Sequence, residues 1–195
     1  IPLAERIRPK KLDEVIGQKH LIGEKGSIKS AIDNKLIPSI IFWGPPGVGK
    51  TTLANLIAQE LDRPFYTLSA VNSGVKDVRE VIRKASSLGL FGKDIPILFI
   101  DEIHSILSSD RSSTDISNIL KPLLAEGELR CIGTTTPEKF RETIEKDQAL
   151  NNCFQKIAVN EPSVELSAKI LQGIKKKYES HHGIRISEEA VNYSA

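Results

Sequence analysis

The sequence has no methionine, one tryptophan and two cysteines in 195 residues. Cys131 and Cys153 have neither the spacing of a metal site nor the number a disulfide framework needs, and they read as reduced thiols of a cytoplasmic protein. The missing methionine, start residue included, reads as a fragment or a processed chain. No apolar run approaches the ~20 residues that span a bilayer, no signal peptide opens the chain, and no repeat or low-complexity tract interrupts it. These absences argue against a helical membrane span and a disulfide-stapled scaffold. What remains is 39% hydrophobic and 27% charged, ordinary for a globular protein long enough to bury a core without staples.

The net charge of +2 is unevenly spread. Residues 1–96 hold 15 Lys and Arg against 10 Asp and Glu, and residues 97–195 hold 12 against 15. A basic half can attract nucleic acid, but no cluster is dense enough to form a binding stripe. A solvated surface beside a phosphate site accounts for it. Lys175-Lys176-Lys177 reads as a solvated helix face, and Trp43 as core. His104, His181 and His182 lack further ligands at metal spacing.

Five short apolar runs predict strands: Ser39 to Trp43, Phe65 to Leu68, Ile97 to Ile100, Leu129 to Gly133 and Ile157 to Val159. Their continuous rather than alternating character predicts burial on both faces. Helical spacing lies between them, over Thr52 to Leu61 and Asp115 to Ala125, with Pro122 expected to kink or break the second. Strands alternating with helices predict an α/β fold with a five-stranded, mainly parallel sheet. After Glu161-Pro162, Ser163 is the expected N-cap of a helix whose apolar face is Leu166, Ile170, Leu171, Ile174 and Tyr178. Ser187 would cap another that runs off the end at Ala195. The expected division is a nucleotide-binding part over 1–160 and the start of a smaller helical part over 161–195.

The chemistry concentrates in three segments. Gly44-Pro45-Pro46-Gly47-Val48-Gly49-Lys50-Thr51 fits G-x-x-x-x-G-K-[ST] in full, between an apolar strand and a helix that continues from Thr52. The glycines let backbone N–H groups close around phosphate oxygens, Lys50 reaches the β- and γ-phosphates, and the Thr51 hydroxyl suits a magnesium ion. Ile97-Leu98-Phe99-Ile100 ends in Asp101-Glu102, the Walker B form. Asp101 would hold the metal, and Glu102 would orient or deprotonate a water. Gly133-Thr134-Thr135-Thr136 follows another strand; its residues alone fit a threonine-rich turn. No guanine-reading N-K-x-D motif is present.

Together the GPPGVGKT loop, FIDEIH and GTTT resemble an AAA+ ATPase over nearly the whole chain. Residues 1–96 resemble the RarA/MgsA recombination factors at Pro2 to Pro9, Val15 to Leu21, Phe42 to Gly47 and Leu68 to Arg79. Residues 97–195 resemble the first ATPase domain of the Clp/Hsp100 unfoldases ClpA, ClpB and ClpC at Asn118 to Leu124, Gly127 to Gly133, Ile144 to Leu150, Phe154 to Ile157, Glu161 to Glu165 and Lys177 to His182. The change from one likeness to the other falls near Lys93 to His104, as in a mosaic.

The resemblance implies ATP and Mg²⁺ as ligands, with Val15, Ile16 and Gly17 in the adenine pocket. Pro45, Pro46, Val48 and Thr52 belong to the nucleotide-binding loop. Thr136 would be sensor 1, with Thr135 as the alternate. It also implies a homo-oligomeric ring acting on protein, as in Clp, or on DNA, as in RarA. A third reading is an assembly module with incidental turnover. Two departures stand out. Asn152 and Cys153 occupy the positions of the paired arginine fingers, so slow hydrolysis is expected of the chain alone. Ser73-Gly74-Val75-Lys76 lacks the Clp pore-loop tyrosine.

Overall fold

A sheet assembles from β1 (Ile40–Trp43), β2 (Phe65–Ser69), β3 (Ile97–Asp101), β4 (Arg130–Thr135) and β5 (Gln155–Ala158). The structure, a computed structural model, describes residues 2–69, 79–84, 87, 95–107 and 111–195. The segment Ser73-Gly74-Val75-Lys76, and with it the pore-loop reading, lies outside them.

The strand order is β2-β3-β4-β1-β5, with every pairing parallel. Alternate residues of each strand supply opposite faces. Ile41, Leu98, Ile100 and Cys131 join one buried cluster; Ile40, Phe42, Ile97, Phe99 and Ile132 join the other. Both faces of the inner strands β1, β3 and β4 are therefore covered, as their unbroken apolar runs predict, whereas the edge strands β2 and β5 are only partly buried, contrary to the expectation for them. Each fully buried Ile, Leu or Phe contributes ~1.5–3 kcal/mol, so the sheet is a main source of the fold's stability. Trp43 stacks on Phe140 at 5.6 Å between ring centroids, a packing role.

Strand order sets where the chemistry falls. The chain leaves β1, crosses to β2 and β3, returns through β4 and finishes on the far side of β1 at β5. In such open sheets the crevice lies outside the carboxyl ends of the strands, where the order reverses. Here β4 lies between β1 and β3, so its last residues sit between the loop after β1 and the acidic pair after β3.

Two helix expectations need correction. The helix Arg111–Ala125 passes through Pro122 without a break. Pro122 has no N–H to give the Asn118 carbonyl, so the helix forgoes one bond there, yet it closes beyond that point, with Glu126 N–H donating to the Pro122 carbonyl at 2.9 Å. The final helix, Glu188–Tyr193, does not run to Ala195: Ser194 caps it by donating its N–H to the carbonyls of Ala190 and Val191.

Both serine caps form. Ser163 Oγ accepts from Leu166 N–H at 3.3 Å at the start of the helix Val164–His182, and Ser187 Oγ accepts from Ala190 N–H at 3.1 Å. Ser163→Ala is expected to cost ~1 kcal/mol, read as a lower midpoint in denaturant at an unchanged slope. Among the described residues no helix is long and apolar enough to cross a membrane, and no three His, Cys, Asp or Glu side chains gather as a metal-binding group.

Candidate nucleotide site

The loop after β1 is shaped by its glycines at two kinds of position. A Cβ on Gly44 would lie 2.1 Å from the carbonyl oxygen of Val159, so only glycine lets β1 enter the loop beside β5. Gly47 and Gly49 have φ of +81° and +93°, the left-handed region that side chains disfavour. Gly44 N–H donates to the Thr135 carbonyl at 3.3 Å, hooking the loop to the end of β4. The helix Lys50–Leu61 starts at once, with Leu53, Ala54, Leu56, Ile57, Ala58 and Leu61 buried. Its amino terminus therefore faces the loop's concavity, where unpaired N–H groups and the helix dipole favour an anion.

Lys50 is held in that concavity. Its Nζ donates to the carbonyls of Gly44 at 2.7 Å and Pro45 at 2.6 Å. Burial pulls its pKa down, and the charges of Asp101 and Glu102 push it back up. The expected metal pair is also assembled: Thr51 Oγ1 donates to Asp101 Oδ1 at 3.4 Å. A hydroxyl and a carboxylate are the hard oxygen donors magnesium takes.

Beyond Asp101 the backbone turns sharply. Glu102 is exposed and has φ +53°, a conformation costing ~1 kcal/mol for a residue with a side chain. Three bonds hold this turn. Glu102 N–H donates to Thr134 Oγ1 at 3.0 Å, Ile103 N–H donates to the Thr134 carbonyl at 3.0 Å, and Ser105 N–H donates to the Glu102 carbonyl at 2.9 Å. Thr134 Oγ1 in turn donates to Asp101 Oδ1 at 2.5 Å.

The three threonines of GTTT part company. Thr134 and Thr135 are buried, whereas Thr136 is half-exposed. Thr135 Oγ1 pairs with His104 Nδ1 at 3.0 Å. Burial lowers the His104 pKa, against the raising pull of the Glu102 charge. Thr136 Oγ1 accepts from Lys139 N–H at 3.4 Å as the N-cap of a short helix, Pro137–Lys139.

Two cavities meet along the loop and share Gly47, Gly49 and Thr52. One, about 360 Å³, is walled by Pro46, Lys50, Thr51, Asp101, Glu102, Thr134, Thr135 and Thr136. The other, about 500 Å³, is mostly apolar and lies between Val15, Ile16, Val48 and the helix Val164–His182, which presents Leu166, Ile170 and Ile174. Gly17 lies behind that wall: a Cβ there would sit 2.7 Å from Leu166 Cδ2. A larger, more polar depression of about 550 Å³ lies on the outer flank of the helix Lys50–Leu61 and touches the motifs only at Thr52.

Several lining residues were not foreseen as such. Arg8, from the amino-terminal segment, reaches the phosphate cavity. Gln18 lines the apolar cavity and donates through Nε2 to the Asn160 carbonyl at 2.9 Å. Lys177, read as solvated, stands at that cavity's rim while remaining exposed. The apolar face Leu166, Ile170 and Ile174 was legible as a face but not as a ligand wall. Asn152 and Cys153 close the helix Gln148–Cys153 and line neither cavity.

Comparison with known proteins agrees with this geometry. Residues 40–164 match the family "ATPase family associated with various cellular activities (AAA)", and residues 163–195 match an AAA lid domain. The chain is 39% identical to the chaperone protein ClpB 2 of Parasynechococcus marenigrum over 97% of its own length, so the Clp likeness also takes in residues 1–96. It spans 22% of that relative. The Saccharomyces cerevisiae Hsp104-ADP complex superposes with a TM-score of 0.71 at 35% identity, over 100% of this chain and 29% of Hsp104. The Holliday junction branch migration motor RuvB of Thermotoga maritima superposes at 0.68 with 23% identity, covering 95% of this chain and 58% of RuvB, a likeness of fold alone. The chain belongs to the AAA ATPase family.

Proposed function

We propose that this chain is a Mg-ATP-binding and hydrolysing module of a protein-remodelling ring of the ClpB and Hsp104 kind. The observation that carries the reading is the convergence of Lys50, Thr51, Asp101 and Glu102 on one cavity at the carboxyl ends of β1 and β3. Support for the protein-remodelling class comes from relatives named as chaperones and from an Hsp104 structure described with ATPγS and casein, 35% identical to this chain. The division near residue 160, the cytoplasmic location and the ring are part of the same reading.

Each residue's role follows from its surroundings. The loop N–H groups and the Lys50 ammonium, which rests on the Gly44 and Pro45 carbonyls and is to exchange them for phosphate oxygens, hold the phosphates. Thr51 and Asp101 would hold magnesium, which when bound screens the β- and γ-phosphate charge. Glu102 accepts the proton of an attacking water, its exposed carboxylate carried over the cavity by the left-handed turn. Thr136 serves as the polar sensor: its oxygen accepts from Lys139, so its proton is free to donate into the cavity it lines. Thr135, the alternate, has its hydroxyl tied to His104. The base would rest between Val15, Ile16 and the helix Val164–His182.

Asn152 and Cys153 provide no guanidinium for a neighbour's phosphates. An arginine in that role contributes ~10³–10⁵ to turnover in related NTPases. The chain alone is therefore expected to hydrolyse ATP slowly at every protein concentration. Asn152→Arg, at an exposed position, is expected to raise turnover at least ~10-fold at high concentration. Steady-state turnover against protein concentration decides it. Rates typical of assembled AAA+ rings in the unaltered chain would sink the slow-hydrolysis reading.

A further inference from the structure

Thr134 has no role of its own in the reading of GTTT, yet it touches both halves of the acidic pair. It lies one residue beyond Gly133, which pairs with Ile100 in the sheet, so it stands beside the end of β3. Its side chain is buried, with 2% of the residue exposed. A hydroxyl has one proton to give, and this one goes to Asp101 Oδ1 at 2.5 Å. Its oxygen then accepts from Glu102 N–H at 3.0 Å. Thr51 donates onto the same Oδ1 at 3.4 Å, so neither threonine engages the second carboxylate oxygen.

This arrangement does two things. Donation from Thr134 requires an accepting oxygen on Asp101, which fixes the rotation of the carboxylate about its side-chain axis. Acceptance from Glu102 N–H satisfies a backbone donor at a turn whose φ of +53° is otherwise unfavourable. One buried hydroxyl thus ties the carboxylate for the metal and the carboxylate for the water to β4, the strand that ends between them.

We infer that Thr134 is a positioning residue whose hydroxyl sets the Asp101 carboxylate and the Glu102 turn, so that magnesium affinity and turnover depend on it and metal-free nucleotide binding does not. The inference rests on the roles proposed above for Asp101 and Glu102.

The test compares Thr134→Val, which keeps the volume and removes the hydroxyl, with Thr134→Ser, which keeps the hydroxyl. A fluorescent ADP analogue is titrated onto the chain in EDTA and then across a magnesium series, and kcat and KM for ATP are measured separately. Thr134→Val is expected to raise the magnesium half-saturation about tenfold and to lower kcat by about tenfold or more. Its affinity in EDTA and its KM should stay within about twofold, and Thr134→Ser should recover most of both losses. Three results overturn the inference. They are a Thr134→Val chain that matches the unaltered one in magnesium dependence and kcat, two variants equally impaired, and an affinity in EDTA that falls in step with that in magnesium. If Thr134→Val does not fold by circular dichroism, Thr134→Ala is read by the same criteria. Glu102→Gln is run alongside. If it turns over ATP normally, the reading of the site itself fails. If it is inactive while Thr134→Val is unaffected, only the role of Thr134 fails.

Discussion

Glu102→Gln is expected to keep ATP binding and to lose turnover by ~10²–10⁴, the usual contribution of a positioned general base. The substitution removes a proton acceptor and little else. Glutamine has nearly the same shape, and the turn is held by backbone bonds to Thr134 and Ser105 that do not involve the Glu102 side chain. Glu102 is exposed, so no packing is lost. Single-turnover measurement with the nucleotide bound in excess protein separates chemistry from binding. Unchanged turnover would mean that the water is activated by another group. Lost binding would mean that the turn, and not the carboxylate, is what the residue supplies.

Gly44→Ala is expected to damage the molecule at a different level. The added Cβ would meet the Val159 carbonyl oxygen at 2.1 Å, and that oxygen is backbone, so neither partner can swing away. Relief requires β1 and β5 to part where Val159 N–H donates to the Trp43 carbonyl at 2.9 Å. Loss of fit of this kind costs ~1–3 kcal/mol. Because Gly44 also donates its N–H to Thr135 and offers its carbonyl to Lys50, the loop would shift with the strand. The expected result is a lower midpoint in urea together with nucleotide affinity reduced by at least ~10-fold. Normal affinity in a destabilised variant would show that the loop's shape does not depend on its entry angle.

Much of this was open to reading from the chain because it is local. Gly44 to Thr51 is contiguous, and Asp101-Glu102 follows directly from an apolar run. The inner strands β1, β3 and β4 announced themselves by being buried on both faces, whereas the edge strands β2 and β5 are only partly buried. What escaped the sequence depends on register and on contacts between distant segments. Thr134 reaches Asp101 only because β4 pairs with β3 so that Gly133 faces Ile100. Nothing in GTTT distinguishes the hydroxyl that faces β3 from the one that faces His104 or the one that caps Pro137–Lys139. Arg8 and the face Leu166, Ile170 and Ile174 become site walls when segments more than 150 residues apart close over the loop. The break expected at Pro122 does not occur: one lost N–H bond leaves the buried face Ile116, Leu120 and Leu124 intact.

The central claim is that a nucleoside triphosphate is held by its phosphates in the cavity around Lys50. Equilibrium titration of the unaltered chain and of Lys50→Ala with a fluorescent ATP analogue, with and without magnesium, tests it directly. The unaltered chain should bind with an affinity that rises when magnesium is added. Lys50→Ala should fold and lose affinity by at least ~30-fold, because a charge-assisted phosphate contact contributes ~2 kcal/mol or more. Equal affinity in the two proteins would contradict the account.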